Sequence, residues 1–150
     1  MEEIEVTINS DGGPVPIQQF SEYFFLLRAC YVIALDEVHF EMENDGDVAV
    51  AEITTDHVAE SILHRAASLS PGELNRIANQ YLSSKEELYL NDIMRRNPFE
   101  VVFLGIGIAL TAALIVSGGK FEFGLTKLKV EIPPLGEGIA KLRKAFSKKP

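Results

Sequence analysis

An uncharged run of nineteen residues at 101–119 constrains this chain more than any other feature. Its first sixteen residues read VVFLGIGIALTAALIV. The segment 97–100, Asn-Pro-Phe-Glu, matches a helix start, and the glycine pair at 118–119 matches a helix end. A helix over 98–117 would be about 30 Å long, close to the thickness of the hydrocarbon core of a bilayer. The run therefore predicts one long membrane-associated helix.

Small residues recur at every fourth position of this predicted helix, at Gly105, Ala109, Ala113 and Ser117. Such a ridge lets a second helix approach closely, as small residues do in membrane helix pairs. It predicts self-association through this face. The alternative is a cytosolic homo-oligomer in which 98–117 is buried in the core or at a subunit interface.

Charge is distributed unequally along the chain. Residues 1–100 carry 19 acidic and 6 basic side chains, whereas 101–150 carry 3 acidic and 8 basic ones. An acidic chain repels phosphates, so nucleic acid is not expected as a partner. The single cysteine, Cys30, excludes an intramolecular disulfide and fits a reducing compartment. The N-terminus lacks a basic segment followed by an apolar one, so no cleavable secretory signal is predicted.

These patterns predict an α+β fold in three parts. Residues 1–96 form an acidic cytoplasmic domain with a small antiparallel sheet covered by helices. Residues 97–119 form the apolar membrane-associated helix. Residues 120–150 form a basic tail of short strands and one helix.

Apolar periodicity places the elements of the first part. Alternation of apolar and polar residues predicts strands, and spacings of three and four predict helices. Ser70-Pro71-Gly72-Glu73 matches a capping box that starts a helix. The predicted elements are a strand at 3–9, a helix at 16–36, a hairpin at 37–54, a helix at 55–69, a second helix at 71–81 and a strand at 87–95.

In the tail, alternation predicts strands at 120–123 and 127–132, and apolar residues at 135, 139, 142 and 146 predict an amphipathic helix. Its charge is nearly all positive. An amphipathic basic helix can lie on an anionic membrane surface, or it can pack on its own protein with solvated lysines. The basic residues proposed to contact a membrane or partner are Lys141, Arg143, Lys144, Lys148 and Lys149.

One set of side chains resembles a metal site. His57, Glu60 and His64 would share one face of the helix at 55–69, and two imidazoles with a carboxylate can bind a transition metal. The set completes no named motif and has no evident fourth ligand. It is therefore a weak candidate, and the sequence predicts neither an enzyme nor a cofactor.

The sequence as a whole predicts a non-enzymatic, membrane-associated module that oligomerises or anchors, or acts on membranes as an effector. Its expected partners are a second copy of itself, membrane lipid and a cytoplasmic protein. The alternative function is a soluble cytosolic homo-oligomer.

Overall fold

A computed structural model describes residues 2–9, 14–44, 55–94, 99–123 and 128–146. These residues form an α+β fold, as predicted. In chain order, the elements are β1 (Glu2–Ile8), α1 (Ile17–Asn44), α2 (Thr55–Ala66), α3 (Pro71–Tyr81), β2 (Tyr89–Met94), β3 (Phe99–Gly105), α4 (Gly107–Val116), β4 (Lys120–Phe123), β5 (Leu128–Ile132) and α5 (Leu135–Phe146).

The five strands form one sheet in the order β2-β3-β1-β5-β4. Three of the four pairs are antiparallel, but β1 and β5 are parallel, with Val6 opposite Val130. The sheet is therefore mixed and not purely antiparallel as predicted, because β5, which was assigned to a separate tail, joins it parallel to β1. Almost the whole chain separates β1 from β5, so no short turn fixes their relative direction. The predicted parts 1–96, 97–119 and 120–150 all contribute strands to this sheet.

The predicted single helix over 98–117 is wrong. The structure divides this run into strand β3 and helix α4, which are joined at Ile106. Valines and phenylalanine favour a strand, and Gly105 and Gly107 weaken a continuous helix. Strand β3 carries apolar residues on both faces, with Val101 and Phe103 on one and Val102 and the half-buried Leu104 on the other. Its sequence therefore shows no alternation, and periodicity cannot distinguish this run from a buried helix. Among the described residues, no helix combines the length and the apolar character needed to cross a bilayer.

Helix α4 is apolar on all sides because it is enclosed by the protein itself. Its ten residues are about 15 Å long, and it packs against α1 and α2. The glycine stop at 118–119 is confirmed. Gly118 has a φ of 97°, its N–H donates to the Ile115 carbonyl, and the Gly119 N–H donates to the Leu114 carbonyl. These two bonds form a Schellman motif, which requires a residue with positive φ at this position.

Helix α1 is longer than its prediction. It continues to Asn44, so the expected hairpin is wrong over 37–44, and the rest of that hairpin, 45–54, lies outside the described residues. The apparent alternation at 38–42 is overridden by helical periodicity, because Tyr31, Leu35 and Val38 form one buried face with the preceding turns.

Helix α3 starts as its sequence predicts. The Ser70 hydroxyl accepts a hydrogen bond from the Glu73 N–H at 3.4 Å, and Pro71 occupies the first turn.

Helices cover one face of the sheet. Ile4, Val6 and Ile8 of β1 are buried in the core, whereas Glu3 of β1 and Lys129 and Glu131 of β5 are exposed. The sheet therefore has one apolar face under the helices and a second, mixed face, where charged residues of β1 and β5 lie beside Val102 and Leu104 of β3.

Candidate interaction surface

Strand β2 forms one edge of the sheet and exposes apolar side chains there. Among the described strands it pairs only with β3. Leu90 is 50% exposed and Ile93 is 48% exposed. An edge strand also presents unpaired backbone N–H and C=O groups, which can pair with another strand. We call Leu90 and Ile93, together with the side of β2 that no described strand pairs with, the edge surface.

A β-bulge brings Leu90 and Ile93 to the same face. Leu90 lies opposite Phe103 of β3 and Ile93 lies opposite Val101, and the register shifts between Leu90 and Asp92. Both β3 partners are buried in the core, so Leu90 and Ile93 also point toward the helix side of the sheet. The helix layer leaves them half exposed. The core thus ends in an apolar strip that no described part of the chain fully covers.

A cluster of polar side chains fixes the segment that leads into β2. Arg28 of α1 donates to both carboxylate oxygens of Glu87, at 3.0 and 2.9 Å, and to the side-chain oxygen of Asn75 at 2.9 Å. The Asn75 amide in turn donates to the Phe25 carbonyl at 2.9 Å. Hydrogen bonds from Arg28 hold the pKa of Glu87 below its usual range. The start of β2 is therefore attached to α1 and α3.

Tyr31 adds a second attachment. Its hydroxyl donates to the Glu86 carbonyl at 2.5 Å and accepts from the Ile106 N–H at 2.9 Å. Burial raises the pKa of this hydroxyl to about 12. The same side chain therefore connects α1, the segment before β2 and the junction of β3 with α4. The imidazole of His39 also lies 2.6 Å from the Glu86 carboxylate.

The opposite edge of the sheet has a different composition. Strand β4 has four residues, and two of them, Lys120 and Glu122, are charged. Charged side chains and short length are common protections of edge strands against unwanted pairing. Strand β2 has six residues, no lysine and no proline, and its single charge is Asp92. Of the two described edges, β2 has the lower share of charged residues, and its bulge between Leu90 and Asp92 is the protective feature that it does carry.

The predicted helix-association face lies inside the chain. Gly105 ends β3, Ala109 and Ala113 belong to α4, and Ser117 caps that helix. The prediction that these residues share one helix is therefore wrong. Ala109, Ala113 and Ser117 are fully buried, and the Ser117 hydroxyl lies 2.9 Å from the Tyr23 hydroxyl. Their small side chains allow α4 to pack within its own protein.

The weak metal candidates are exposed on α2. His57, Glu60 and His64 all lie on that helix, and the His57 imidazole is 3.4 Å from the Glu37 carboxylate. Within the part of the chain that the structure describes, no group of three His, Cys, Asp or Glu residues could hold a metal ion.

The basic helix of the tail packs on the protein. The apolar face of α5, which includes Ile139 and Leu142, is buried, and the helix contacts α1. Lys141, Arg143 and Lys144 are exposed, and Arg143 is paired with Glu22. Of the two roles predicted for this helix, the structure thus shows the one in which it packs on its own protein. The other two basic residues, Lys148 and Lys149, lie outside the described residues.

Sequence reasoning found β2 but missed its edge surface. The apolar alternation of Leu88 and Leu90 indicated a strand, but it did not place Ile93 on the same face as Leu90. The bulge that does so depends on the pairing with β3. The sequence did contain one signal of an unprotected edge: the predicted strand has no lysine or proline between residues 89 and 94 and only one charged residue there.

Comparisons of this chain with protein-family models, curated proteins and solved structures found no significant match.

Proposed function

We propose that this chain is a non-enzymatic module that associates with a second copy of itself through the edge surface. The observation that carries the proposal is the pair of half-exposed apolar residues, Leu90 and Ile93, on an edge strand with one charge. Pairing would supply hydrogen-bond partners to backbone groups along the outer edge of β2 and remove these side chains from water.

A second copy is the partner best matched to this surface. Most soluble homo-oligomers are two-fold dimers, in which the same patch on both copies forms the interface. An antiparallel strand pair has this symmetry, so β2 needs no other surface as its partner. The two attachments of the preceding segment, through Arg28 and Tyr31, hold the strand in place before association. Preorganisation of this kind lowers the entropy cost of binding.

Buried polar groups support a structural rather than a catalytic role for the interior. Among the described residues, every side-chain nitrogen or oxygen that is removed from solvent has a hydrogen-bond partner. Tyr23 is bonded to Ser117, and Arg28 to Glu87 and Asn75. These groups connect elements of the fold.

The membrane-anchoring hypothesis depended on one helix over 98–117. Because this run forms a strand and a short enclosed helix, its apolar character is accounted for by the core. The same hypothesis also included self-association through the small residues of the apolar run. We now propose that self-association uses the edge surface instead.

The test is the oligomeric state of the wild-type chain and of Ile93→Lys, measured by analytical ultracentrifugation over a range of concentrations. We expect a wild-type dimer and at least about tenfold weaker association of Ile93→Lys, because a buried lysine without a partner costs more than the 1.4 kcal/mol that a tenfold change requires. Ile77→Lys is the matched control, since Ile77 is 40% exposed but belongs to helix α3 and not to the edge strand.

Circular dichroism of each variant shows whether the fold is intact. A wild-type chain that remains monomeric at all concentrations would overturn the proposal. So would an Ile93→Lys chain that dimerises as strongly as the wild type.

A further inference from the structure

We infer that a small polar cavity at one end of the sheet binds a zwitterion, namely a free α-amino acid with a short apolar side chain. The cavity has a volume of about 250 Å³. No residue of the edge surface lines it, so this inference goes beyond the proposed function and does not depend on it.

The cavity lies at the carboxyl ends of the two parallel strands. Asn9 follows β1 and Ile132 ends β5, and the Asn9 N–H donates to the Ile132 carbonyl at 3.1 Å. Parallel strands end at the same side of a sheet, so the side chains at these ends come together, and open sheets commonly bind ligands there. Gly118, which follows α4, and two residues of α5 complete this part of the lining.

Two lysines reach the cavity from different elements. Lys120 begins β4, and Lys141 belongs to α5. The Lys141 ammonium nitrogen lies 2.9 Å from the position that a Cβ atom on Gly118 would occupy, so the lysine side chain extends across this glycine. Among the described residues, neither lysine forms an ion pair or a side-chain hydrogen bond. Both ammonium groups are therefore available to a carboxylate ligand.

Two carboxylates balance the lysines. Glu131 accepts a hydrogen bond from the Asn9 amide at 2.9 Å and lies opposite Lys120 in the pairing of β4 with β5. Glu137 lies one turn before Lys141 on α5, and no described ion pair joins the two.

These charges favour a ligand that carries both signs. Two lysines and two glutamates give the lining no net charge, which disfavours a simple anion or a simple cation. An α-amino acid can place its carboxylate at the lysines and its ammonium group at Glu137, and both contacts are charge-assisted hydrogen bonds.

The volume limits the size of the ligand. A water molecule takes about 30 Å³ in the liquid, so the cavity has room for about eight non-hydrogen atoms. L-Valine is a molecule of this size. Ile132 and Pro133 form the apolar part of the lining, beside which its side chain can lie.

Binding is tested by a ¹H–¹⁵N NMR titration of the full chain with L-valine. Isovalerate and isobutylamine are matched probes, because they lack the ammonium group and the carboxylate of valine, respectively. We expect valine to shift the amide resonances of Gly118, Lys120 and Lys141. Each single-charge probe should bind at least about tenfold more weakly, because one charge-assisted contact is lost.

Three variants locate the site. Lys141→Met and Glu137→Gln should each weaken binding of valine at least about tenfold. Lys144→Met is the matched control and should bind valine as the wild type does, since Lys144 is exposed on the same helix but does not line the cavity. Circular dichroism checks that the fold of each variant is intact.

Absence of these shifts at millimolar valine would overturn the inference. Isovalerate that binds as tightly as valine would also overturn it, because the cavity would then hold a simple anion. Equal weakening by Lys144→Met would show that the lysines act only through the overall charge of α5. None of these outcomes bears on association through the edge surface, which the sedimentation experiment tests separately.

Discussion

Single side chains attach the segment before β2 to helix α1, and Arg28 makes the largest set of these hydrogen bonds, to Glu87 and to Asn75. It joins α1 to Glu87 and Asn75, and its side chain is only 19% exposed. The sequence did not indicate this cluster, because its members are separated by 47 and 59 positions. Only the packing of α3 on α1 brings these residues together.

The ion pair makes stability depend on pH in a defined direction. The pKa of Glu87 is lowered by its hydrogen bonds to Arg28, so folding favours the charged carboxylate. Its contribution to the free energy of unfolding is complete above the ordinary glutamate range, near 4.5, and is lost as pH falls through the lowered value.

We predict that Glu87→Gln lowers the free energy of unfolding by about 1–3 kcal/mol at pH 7, since a hydrogen bond to a charged group is lost. The difference from wild type should shrink as pH falls below the ordinary glutamate range, because the stabilisation of the charged carboxylate is then lost. Urea unfolding at several pH values measures it. The control is Glu73→Gln, which removes an exposed pair with Arg76 and should cost less than about 1 kcal/mol. A Glu87→Gln effect that is independent of pH would contradict the assignment.

At the scale of elements, a single apolar run forms two different structures, strand β3 and helix α4. Residues 99–105 form a strand and 107–116 a helix, and the boundary lies at two glycines. The sequence predicted the C-terminal stop correctly because a Schellman motif is local. It did not predict the boundary at Ile106, because nearly all residues on both sides of it are apolar and the sequence shows no change of period there.

Helix α4 should tolerate no larger side chain at its small positions. Ala113 is fully buried in a helix that packs on α1 and α2. We predict that Ala113→Leu lowers the free energy of unfolding by about 1–3 kcal/mol through overpacking, measured by thermal or urea unfolding.

Ala140→Leu provides the matched control, because Ala140 is exposed on helix α5. It should change stability by less than about 0.5 kcal/mol. If Ala113→Leu instead left stability unchanged and altered the oligomeric state, the ridge would be an interface between copies, as the sequence first suggested.

At the scale of the whole molecule, the tail is part of the core. Strand β5 lies between β1 and β4, and Ile132 is paired in register with Ile8. Both side chains are buried. A substitution in the tail should therefore destabilise elements at the other end of the chain.

Cys30 reports on this coupling, since its buried thiol should react only when the protein opens. We predict that Ile132→Ala lowers the free energy of unfolding by about 2–5 kcal/mol and accelerates modification of Cys30 by a thiol reagent in proportion. Ile17→Ala, at a residue 84% exposed, is the control and should change neither quantity. A destabilised Ile132→Ala chain whose Cys30 stays as protected as in wild type would show that the tail opens independently.

The sequence by itself determined the features that depend on a few neighbouring residues. These are the α+β class, the start of α3 at Ser70, the stop of α4 at Gly118 and the alternation of β1 and β5. Each follows from local backbone chemistry or from the period of one element.

Tertiary structure alone decided the identity of the apolar run, the direction of β5 beside β1 and the apolar strip on β2. Each depends on contacts between residues far apart in the chain: enclosure of α4 by α1 and α2, parallel pairing across the sheet, and a bulge set by β3. Burial removes the polar face that a periodicity argument needs, so a strand and a helix with equally apolar residues cannot be told apart before they pack.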